Sequence, residues 1–250
     1  MRAFFRPVFL IVALLFPLGA FAQSAGMDMT DEERAQFRAE VRAYLLANPE
    51  VILEAVQIME ERQQAAQAQN DVAMVQANLA ELHDTTRSWE TGNPDGDITL
   101  VEFVDYRCGY CRRAHEDVKQ LVESDGNIRL IIKEFPILGD ASVASSRFAI
   151  AVLQLAGSDA YGAVHEALIS LRGNPDEATF RQLATEVGLN ADEIMTHANS
   201  ASVTEVINAT RALAQRLQIT GTPTFVMNGE MLRGYLPLDQ MRAVAASLRG

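Results

Sequence analysis

The chain has 250 residues, of which 48% are hydrophobic and 22% charged, so we expect one globular domain with an additional segment. Its 33 acidic residues outnumber 21 basic ones and give a formal net charge of -12. This charge argues against a nucleic-acid-binding protein, because such proteins gain affinity by neutralising phosphates. Two cysteines are too few for a disulfide-rich scaffold, and because the four histidines are scattered they supply no cysteine–histidine set for a structural zinc site.

The first 22 residues have the pattern of a signal peptide. Arg2 and Arg6 precede an apolar run over residues 8–18, which is shorter than the ~20 residues that a membrane-spanning helix needs. Ala20 and Ala22 supply small residues before Gln23, so we predict cleavage after Ala22. An uncleaved anchor is the alternative. The pattern predicts an exported protein with no membrane span after cleavage.

Residues 23–92 are predicted to form a helical region. Thr30 and Glu33 have the spacing of a capping box, and the apolar residues of segment 30–47 recur at helical spacing. Asn48 is expected to cap a second helix with Pro49 in its first position. Because residues 50–91 contain no Gly or Pro, that helix could reach ~40 residues.

The second helix has only a thin apolar face. It consists of two stripes: Ile52, Val56 and Met59, then Ala65, Ala68, Val72, Val75, Leu79 and Leu82. Helices gain most of their stability by burying a face, so the segment is either a solvated spacer or an oligomerisation segment, and we favour a homo-oligomer formed through residues 30–82. Residues 89–97 are predicted to be a turn-rich boundary before the next domain.

A strand, a pair of cysteines and a helix follow this boundary. Residues 98–104 predict a buried strand, residues 112–122 a helix, and residues 128–135 a second strand. Between the first strand and the helix stands the sequence Cys108-Gly109-Tyr110-Cys111. This order is typical of the first βαβ unit of a thioredoxin-like domain. Half of a zinc site and two unrelated buried thiols are the alternatives, but the chain has no second cysteine pair and the motif stands between a strand and a helix.

Disulfide exchange needs a thiolate nucleophile, and the start of a helix favours one. There Cys108 would meet unpaired backbone N–H groups and the positive end of the helix dipole, which lower a thiol pKa. We therefore predict Cys108 as the attacking sulfur, partly exposed, and Cys111 as the shielded resolving sulfur. Glu102 lies in the predicted strand, where it either faces solvent or sits beneath the cysteines and relays the proton that Cys111 loses.

The remaining chain predicts a helical insertion and a closing hairpin. Helix starts at residues 174–177 and 190–193 place a helical subdomain at about residues 139–217. An apolar strand after Pro223, the turn Asn228-Gly229 and a short strand follow, and residues 238–248 predict a last helix.

Over residues 95–250 the sequence resembles the DsbA-like family of thioredoxin-fold proteins. The matching residues are Glu102-Phe103, Cys108-Gly109-Tyr110-Cys111, Lys133-Glu134-Phe135-Pro136-Ile137-Leu138-Gly139 and Gly221-Thr222-Pro223-Thr224-Phe225. Residues 48–55 resemble the leader domain of the suppressor-of-copper-sensitivity C (ScsC) branch. The expected fold class is therefore α/β, thioredoxin-like over residues 93–250, with the helical insertion and a preceding all-helical oligomerisation arm.

The resemblance implies a periplasmic thiol-disulfide oxidoreductase. Its catalytic residues would be Cys108, Cys111 and Glu102, and Gly109, Tyr110, Thr222 and Pro223 would bind substrate, with a cis bond before Pro223. The Gly-Tyr dipeptide and the Thr before proline are more like disulfide isomerases than oxidising DsbA proteins, so we expect isomerase or reductase activity. Arg112 and Arg113 either add positive potential near the thiolate or are simply solvated.

The resemblance also implies the partners. These are exported client proteins with disulfides and a membrane redox protein that resets the cysteine pair. No cofactor is expected beyond the redox-active disulfide of Cys108 and Cys111. Two alternatives stay open: a DsbA-type dithiol oxidase, and a copper-tolerance protein that holds Cu(I) between the same two thiolates.

Overall fold

A computed structural model describes residues 29–250, so the predicted signal peptide lies outside the described residues. The chain divides into two compact units with a boundary between Met59 and Glu60. The helices are α1 (Asp31–Ala47), α2 (Glu50–Ala77), α3 (Leu79–His83), α4 (Gly109–Asp125), α5 (Asp140–Ala156), α6 (Ser158–Ser170), α7 (Glu177–Glu186), α8 (Ala191–His197), α9 (Ala201–Arg216) and α10 (Leu238–Arg249). The strands are β1 (Trp89–Gly92), β2 (Ile98–Val104), β3 (Ile128–Glu134), β4 (Thr224–Met227) and β5 (Glu230–Arg233).

The first helix begins with the capping box expected from the sequence. The Thr30 hydroxyl accepts from the Glu33 backbone N–H at 3.3 Å, and the Glu33 carboxylate accepts from the Thr30 backbone N–H at 2.8 Å. The Asn48 side chain donates to the Tyr44 carbonyl at 2.9 Å. Asn48 therefore closes the end of α1 rather than capping α2, which corrects the expected role of this residue.

The second helix is shorter than expected. The absence of Gly and Pro suggested up to ~40 residues, but α2 has 28. α2 ends at Ala77, where the Asn78 side chain donates to the Met74 carbonyl at 2.8 Å. The chain then turns, and Leu82 of α3 becomes fully buried. Burial of this leucine in the sheet core outweighs the continuation of an exposed helix.

Five strands form one mixed sheet in the order β1-β3-β2-β4-β5. Strands β2 and β3 are parallel and are joined by α4, whereas the other neighbouring pairs are antiparallel. Helices α5 to α9 follow β3 and precede β4, where the sequence predicted a helical insertion. This architecture confirms the thioredoxin-like fold class.

Both faces of the central strands are buried, because side chains alternate between the faces of a sheet. Ile98, Leu100 and Val104 of β2 belong to a core cluster with residues of α4, α5 and α6. Val101 and Phe103 point to the opposite face, in a cluster with Val75 of α2, Leu82 of α3 and residues of α9. The carboxyl-terminal end of α2 is thus part of the core that supports β2.

The predicted turn-rich boundary over residues 89–97 is wrong at its beginning, because Trp89–Gly92 forms the edge strand β1. This strand pairs with β3, with Trp89 opposite Ile132. The Trp89 indole N–H donates to the Ser158 hydroxyl at 2.8 Å. Gly92 has a φ of +79°, and a Cβ there would lie 2.4 Å from the Ile128 carbonyl oxygen. Glycine therefore permits the close pairing of these strands.

Candidate redox site

The two cysteines lie at the start of α4, directly after the central strand β2. Cys108 is the N-cap residue, and its N–H donates to the Asp105 carbonyl at 3.0 Å. Cys111 lies one turn into the helix and is fully buried. Cys108 is only 7% exposed, so it is more shielded than the sequence-based expectation of a partly exposed sulfur. The order of exposure, Cys108 above Cys111, is as expected.

The loop before Pro223 supplies the other wall of the site. The Thr222–Pro223 peptide bond is cis, as the resemblance implies. The Cys108 thiol donates to the Thr222 carbonyl at 3.1 Å, although these residues are far apart in the chain. Strand β4 starts at Thr224, so the sheet fixes this loop opposite the amino-terminal end of α4. Both landmarks of the sequence analysis therefore meet at Cys108.

The pKa values of the two thiols are shifted in opposite directions. The pKa of Cys108 is lowered to about 5, mainly because the Cys111 thiol donates a hydrogen bond to its sulfur. The Thr222 side chain and the backbone N–H groups of Cys111 and Tyr110 lower this pKa further, whereas burial raises it. Burial raises the pKa of Cys111 well above its ordinary value, and the bond to Cys108 and the charge of Glu102 raise it further. At neutral pH the arrangement yields one thiolate and one thiol.

Glu102 lies on the same side of the sheet as the cysteines and is 3% exposed. The alternative in which it faces solvent is therefore wrong. Burial raises the pKa of Glu102 to about 8, and the charges of Cys108 and Glu134 raise it too. A carboxyl group that titrates near neutral pH can accept and return a proton under physiological conditions.

Asp105 is a site residue that the sequence analysis missed. Its buried carboxylate accepts from the Arg107 N–H at 2.8 Å and from the Ser142 hydroxyl at 2.7 Å. It also accepts from the backbone N–H groups of Ile137 and Leu138, at 2.8 and 3.0 Å. The bond from Arg107 closes an Asx-turn within the loop before Cys108, a turn that Asp favours. The other three bonds tie this loop to the chain after β3, at Ile137, Leu138 and Ser142.

Four other predicted residues lie in α4 next to the cysteines. Gly109 and Tyr110 form the first turn of α4, and Tyr110 is exposed. The Arg112 side chain donates to the Leu171 carbonyl at 3.3 Å, and the Arg113 guanidinium stacks 4.6 Å from the Tyr235 ring centre. Their proposed electrostatic effect on the thiolate stays a prediction.

Two features are absent from residues 29–250: a cluster of metal-ligating side chains and a membrane-spanning helix. There, His, Cys, Asp and Glu side chains form no group of three or more suited to a metal ion. No helix in the same range is both long and apolar enough to cross a bilayer.

Two family models match the chain. The DSBA-like thioredoxin domain matches residues 99–245, and the Copper resistance protein ScsC N-terminal domain matches residues 33–66. These matches confirm both resemblances drawn from the sequence.

Solved structures and curated proteins give further similarities. A thioredoxin-like oxidoreductase from Silicibacter pomeroyi has 38% sequence identity to this chain and superposes with a TM-score of 0.61. The match covers 66% of this chain and 93% of the other. BcfH from Salmonella enterica Typhimurium is 25% identical with a TM-score of 0.73, covering 88% and 97%. The Na(+)/H(+) antiporter NhaA 1 of Salinispora arenicola is 25% identical over 66% of this chain, which spans only 25% of that antiporter's length.

Proposed function

The chain belongs to the DsbA-like thioredoxin-domain family, and from this premise we propose that it is a thiol-disulfide oxidoreductase that isomerises or reduces disulfides of exported proteins. One observation carries the proposal: the low-pKa Cys108 thiol at the N-cap of α4 faces the cis Thr222–Pro223 loop, with the high-pKa Cys111 thiol behind it. A nucleophilic thiolate and a shielded resolving thiol are the two groups that disulfide exchange requires.

The first step breaks the client disulfide. The Cys108 thiolate attacks one client sulfur, a mixed disulfide forms, and the other client sulfur leaves as a thiolate. Thr222 and Pro223 would hold the client backbone beside Cys108, and Gly109 and Tyr110 would line the same surface. Pairing through the backbone would make recognition largely independent of client sequence.

The second step has two outcomes. In reduction, Cys111 loses its proton to Glu102 and attacks the Cys108 sulfur, which releases the client as a thiolate and leaves a Cys108–Cys111 disulfide. In isomerisation, a client thiolate attacks the mixed disulfide instead, which returns the Cys108 thiolate and leaves the client with a new disulfide. The first outcome oxidises the cysteine pair by two electrons, whereas the second causes no net redox change.

Isomerase or reductase activity is favoured by the Gly-Tyr dipeptide between the cysteines and by Thr222 before the proline. The test is the equilibrium of the cysteine pair against glutathione, measured together with refolding of scrambled ribonuclease and reduction of insulin. A strong oxidant has a reduction potential of about -120 mV. We expect the Cys108–Cys111 pair to have a potential well below this value and the protein to refold scrambled ribonuclease. A potential near that value without refolding would support the dithiol oxidase instead.

We also propose a location and partners. The signal-peptide pattern in residues 1–22 and the DsbA-like domain support export to the periplasm. There a membrane redox protein would reset the cysteine pair after each net transfer of electrons. Exported proteins with disulfides would be the clients.

Homo-oligomerisation is proposed for the amino-terminal helices. In the unit that ends at Met59, several large apolar side chains are exposed: Phe37, Val41, Tyr44, Leu46, Ile52, Leu53, Val56 and Met59. Burying such a set against other copies of the chain would remove it from water. Several catalytic heads would then act on one client at high effective concentration, as isomerisation favours.

Copper binding is the second candidate function. It is favoured by the match of residues 33–66 to a family model described as a copper resistance protein. Cys108 and Cys111 would hold Cu(I) as a bound substrate, because soft thiolates select this ion. Titrating the reduced protein with Cu(I) against a chelator tests this function. Tight binding that is lost on Cys108→Ser would support it, and equal binding by both proteins would exclude this site.

A further inference from the structure

A second buried acid, Glu134, shares the core face of Glu102. In the parallel pairing of β2 with β3, Glu102 lies opposite Ile132 and Val104 lies opposite Glu134. Paired residues point to the same face and side chains alternate along a strand, so the two glutamates are diagonal neighbours on one face. Both are buried, although buried carboxyl groups are costly without partners or a task.

Three hydroxyl groups hold the Glu134 carboxylate. Tyr106 and Tyr161 donate to its Oε1 atom at 2.7 and 2.5 Å, and Ser146 donates to its Oε2 atom at 2.7 Å. Because all three are donors, they favour the ionised carboxylate. They lower the pKa of Glu134, whereas its burial raises it to about 7. Because three hydroxyl donors hold its carboxylate, Glu134 is the acid of this pair that we expect to ionise first.

His165 does not neutralise this charge. Its Nδ1 atom lies 2.9 Å from the Tyr106 hydroxyl, and since that hydroxyl donates to Glu134, Nδ1 must donate to the Tyr106 oxygen. Burial lowers the pKa of His165 to about 3, so the ring is neutral at pH 7. Lys133 is on the other face of β3, where it donates to the Glu81 and Asp84 carbonyls.

Other titratable groups surround the two acids from the neighbouring elements: Asp105 and Tyr106 of the loop, Cys108, Cys111, His115, Lys119 and Glu123 of the α4 segment, and Tyr161, His165 and Glu166 of α6. Glu102 also lines a pocket of about 150 Å³ together with His115 and Glu166. The His115 ring and the Glu166 carboxylate are 3.0 Å apart.

We propose that Glu134 is a positioning residue for proton transfer at the cysteine pair: its hydroxyl-bound carboxylate, diagonal to Glu102 on the sheet, makes Glu102 a stronger base toward the Cys111 thiol. Two like charges in a buried site repel each other, so the ionised Glu134 raises the pKa of Glu102. A stronger base removes the proton of the poorly acidic Cys111 more effectively. The inference rests on the proposed function, because the Cys111 proton matters only during disulfide exchange.

The test replaces Glu134 by glutamine in the full-length protein. The titration of Glu102 is followed by ¹³C NMR of the glutamate carboxyl groups, and its signal is assigned by comparison with Glu102→Gln. We expect the midpoint of Glu102 to fall by about one pH unit, a tenfold change in proton affinity. The rate at which Cys111 resolves a mixed disulfide at Cys108 should shift its pH profile by the same amount. An unchanged midpoint would overturn the proposal.

A milder pair of variants keeps the test valid if Glu134→Gln does not fold. Ser146→Ala removes one donor from Glu134, whereas Ser145→Ala removes a neighbouring buried hydroxyl that donates to the Ala141 carbonyl. We expect a lower Glu102 midpoint in Ser146→Ala and an unchanged midpoint in Ser145→Ala. Equal behaviour of these variants would contradict the proposal. The NMR titration needs no disulfide exchange, so its outcome is separate from a failure of the proposed function.

Discussion

The chemical difference between Cys108 and Cys111 arises within a single helical turn. Cys108 is at the N-cap, where N–H groups of the first turn and the Cys111 thiol reach its sulfur. Cys111 is packed in the core beside the buried Glu102. Position along the helix thus separates a thiol of low pKa from a buried thiol of high pKa.

Alkylation of the reduced protein tests these roles. We expect iodoacetamide to modify Cys108 with a half-maximal rate near pH 5, because the thiolate is the reactive form and burial protects Cys111. Peptide mass spectrometry identifies the modified residue. As a control, Cys111→Ala removes the main donor to the thiolate and should move the profile to higher pH. Modification of Cys111 before Cys108 would reverse the assignment.

The sequence was sufficient to find the cysteines and the cis-proline loop, since each belongs to a local motif. It left the environment of Glu102 open, because one acid in an apolar strand is compatible with either face. Asp105 was missed for a related reason. Three of its four partners, Ile137, Leu138 and Ser142, come from the chain beyond the next strand, so only the folded chain shows why this acid is buried.

At the scale of elements, the end of the amino-terminal helical region belongs to the catalytic unit. Val75 and Leu82 are fully buried in the cluster on one face of the sheet. The Asp71 carboxylate accepts from the Arg233 guanidinium of β5 at 2.7 Å. Removing all of residues 23–90 would therefore damage the sheet as well as the arm.

Replacing Leu82 by alanine should destabilise the catalytic unit. The leucine is fully buried, so the loss of contacts and the cavity left behind should lower the free energy of unfolding by about 2–5 kcal/mol. Leu155→Ala, at an exposed leucine of α5, is the matched control and should change it by less than about 0.5 kcal/mol. Urea denaturation measures both. Equal effects would mean that α3 is not part of the cooperative core.

Elements with local signals were predicted closely, and elements defined by distant partners were not. The capping box fixes the start of α1, and β2 has the predicted bounds because its residues are β-branched or apolar apart from Glu102. The strand Trp89–Gly92 is short and contains an acid and a glycine, so its sequence has no clear strand pattern. It is a strand because it pairs with β3. The end of α2 at Ala77 likewise depends on the burial of Leu82 rather than on a Gly or Pro.

At the scale of the whole molecule, the proposed oligomer depends on the stripe formed by Ile52, Val56 and Met59. These side chains are exposed in the single chain. Ile52→Glu with Val56→Glu would place like charges in the interface between copies. We expect this double variant to be monomeric by light scattering, to keep insulin reduction and to lose most refolding of scrambled ribonuclease.

The control makes the same exchange at Ile58, which is exposed but lies outside this stripe. Ile58→Glu should keep the mass of the native protein. If the double variant also keeps that mass, the arm is a solvated spacer rather than an oligomerisation segment.

The central claim is that Cys108 attacks client disulfides and Cys111 resolves the product. It is tested most directly by trapping the intermediate with reduced Cys111→Ala and an oxidised client such as insulin. We expect a stable mixed disulfide at Cys108, found by non-reducing electrophoresis and peptide mass spectrometry, because the resolving thiol is absent. With Cys108→Ala, in which only the buried Cys111 remains, we expect no adduct. A mixed disulfide formed by Cys111 alone, or none formed by Cys108, would contradict the account.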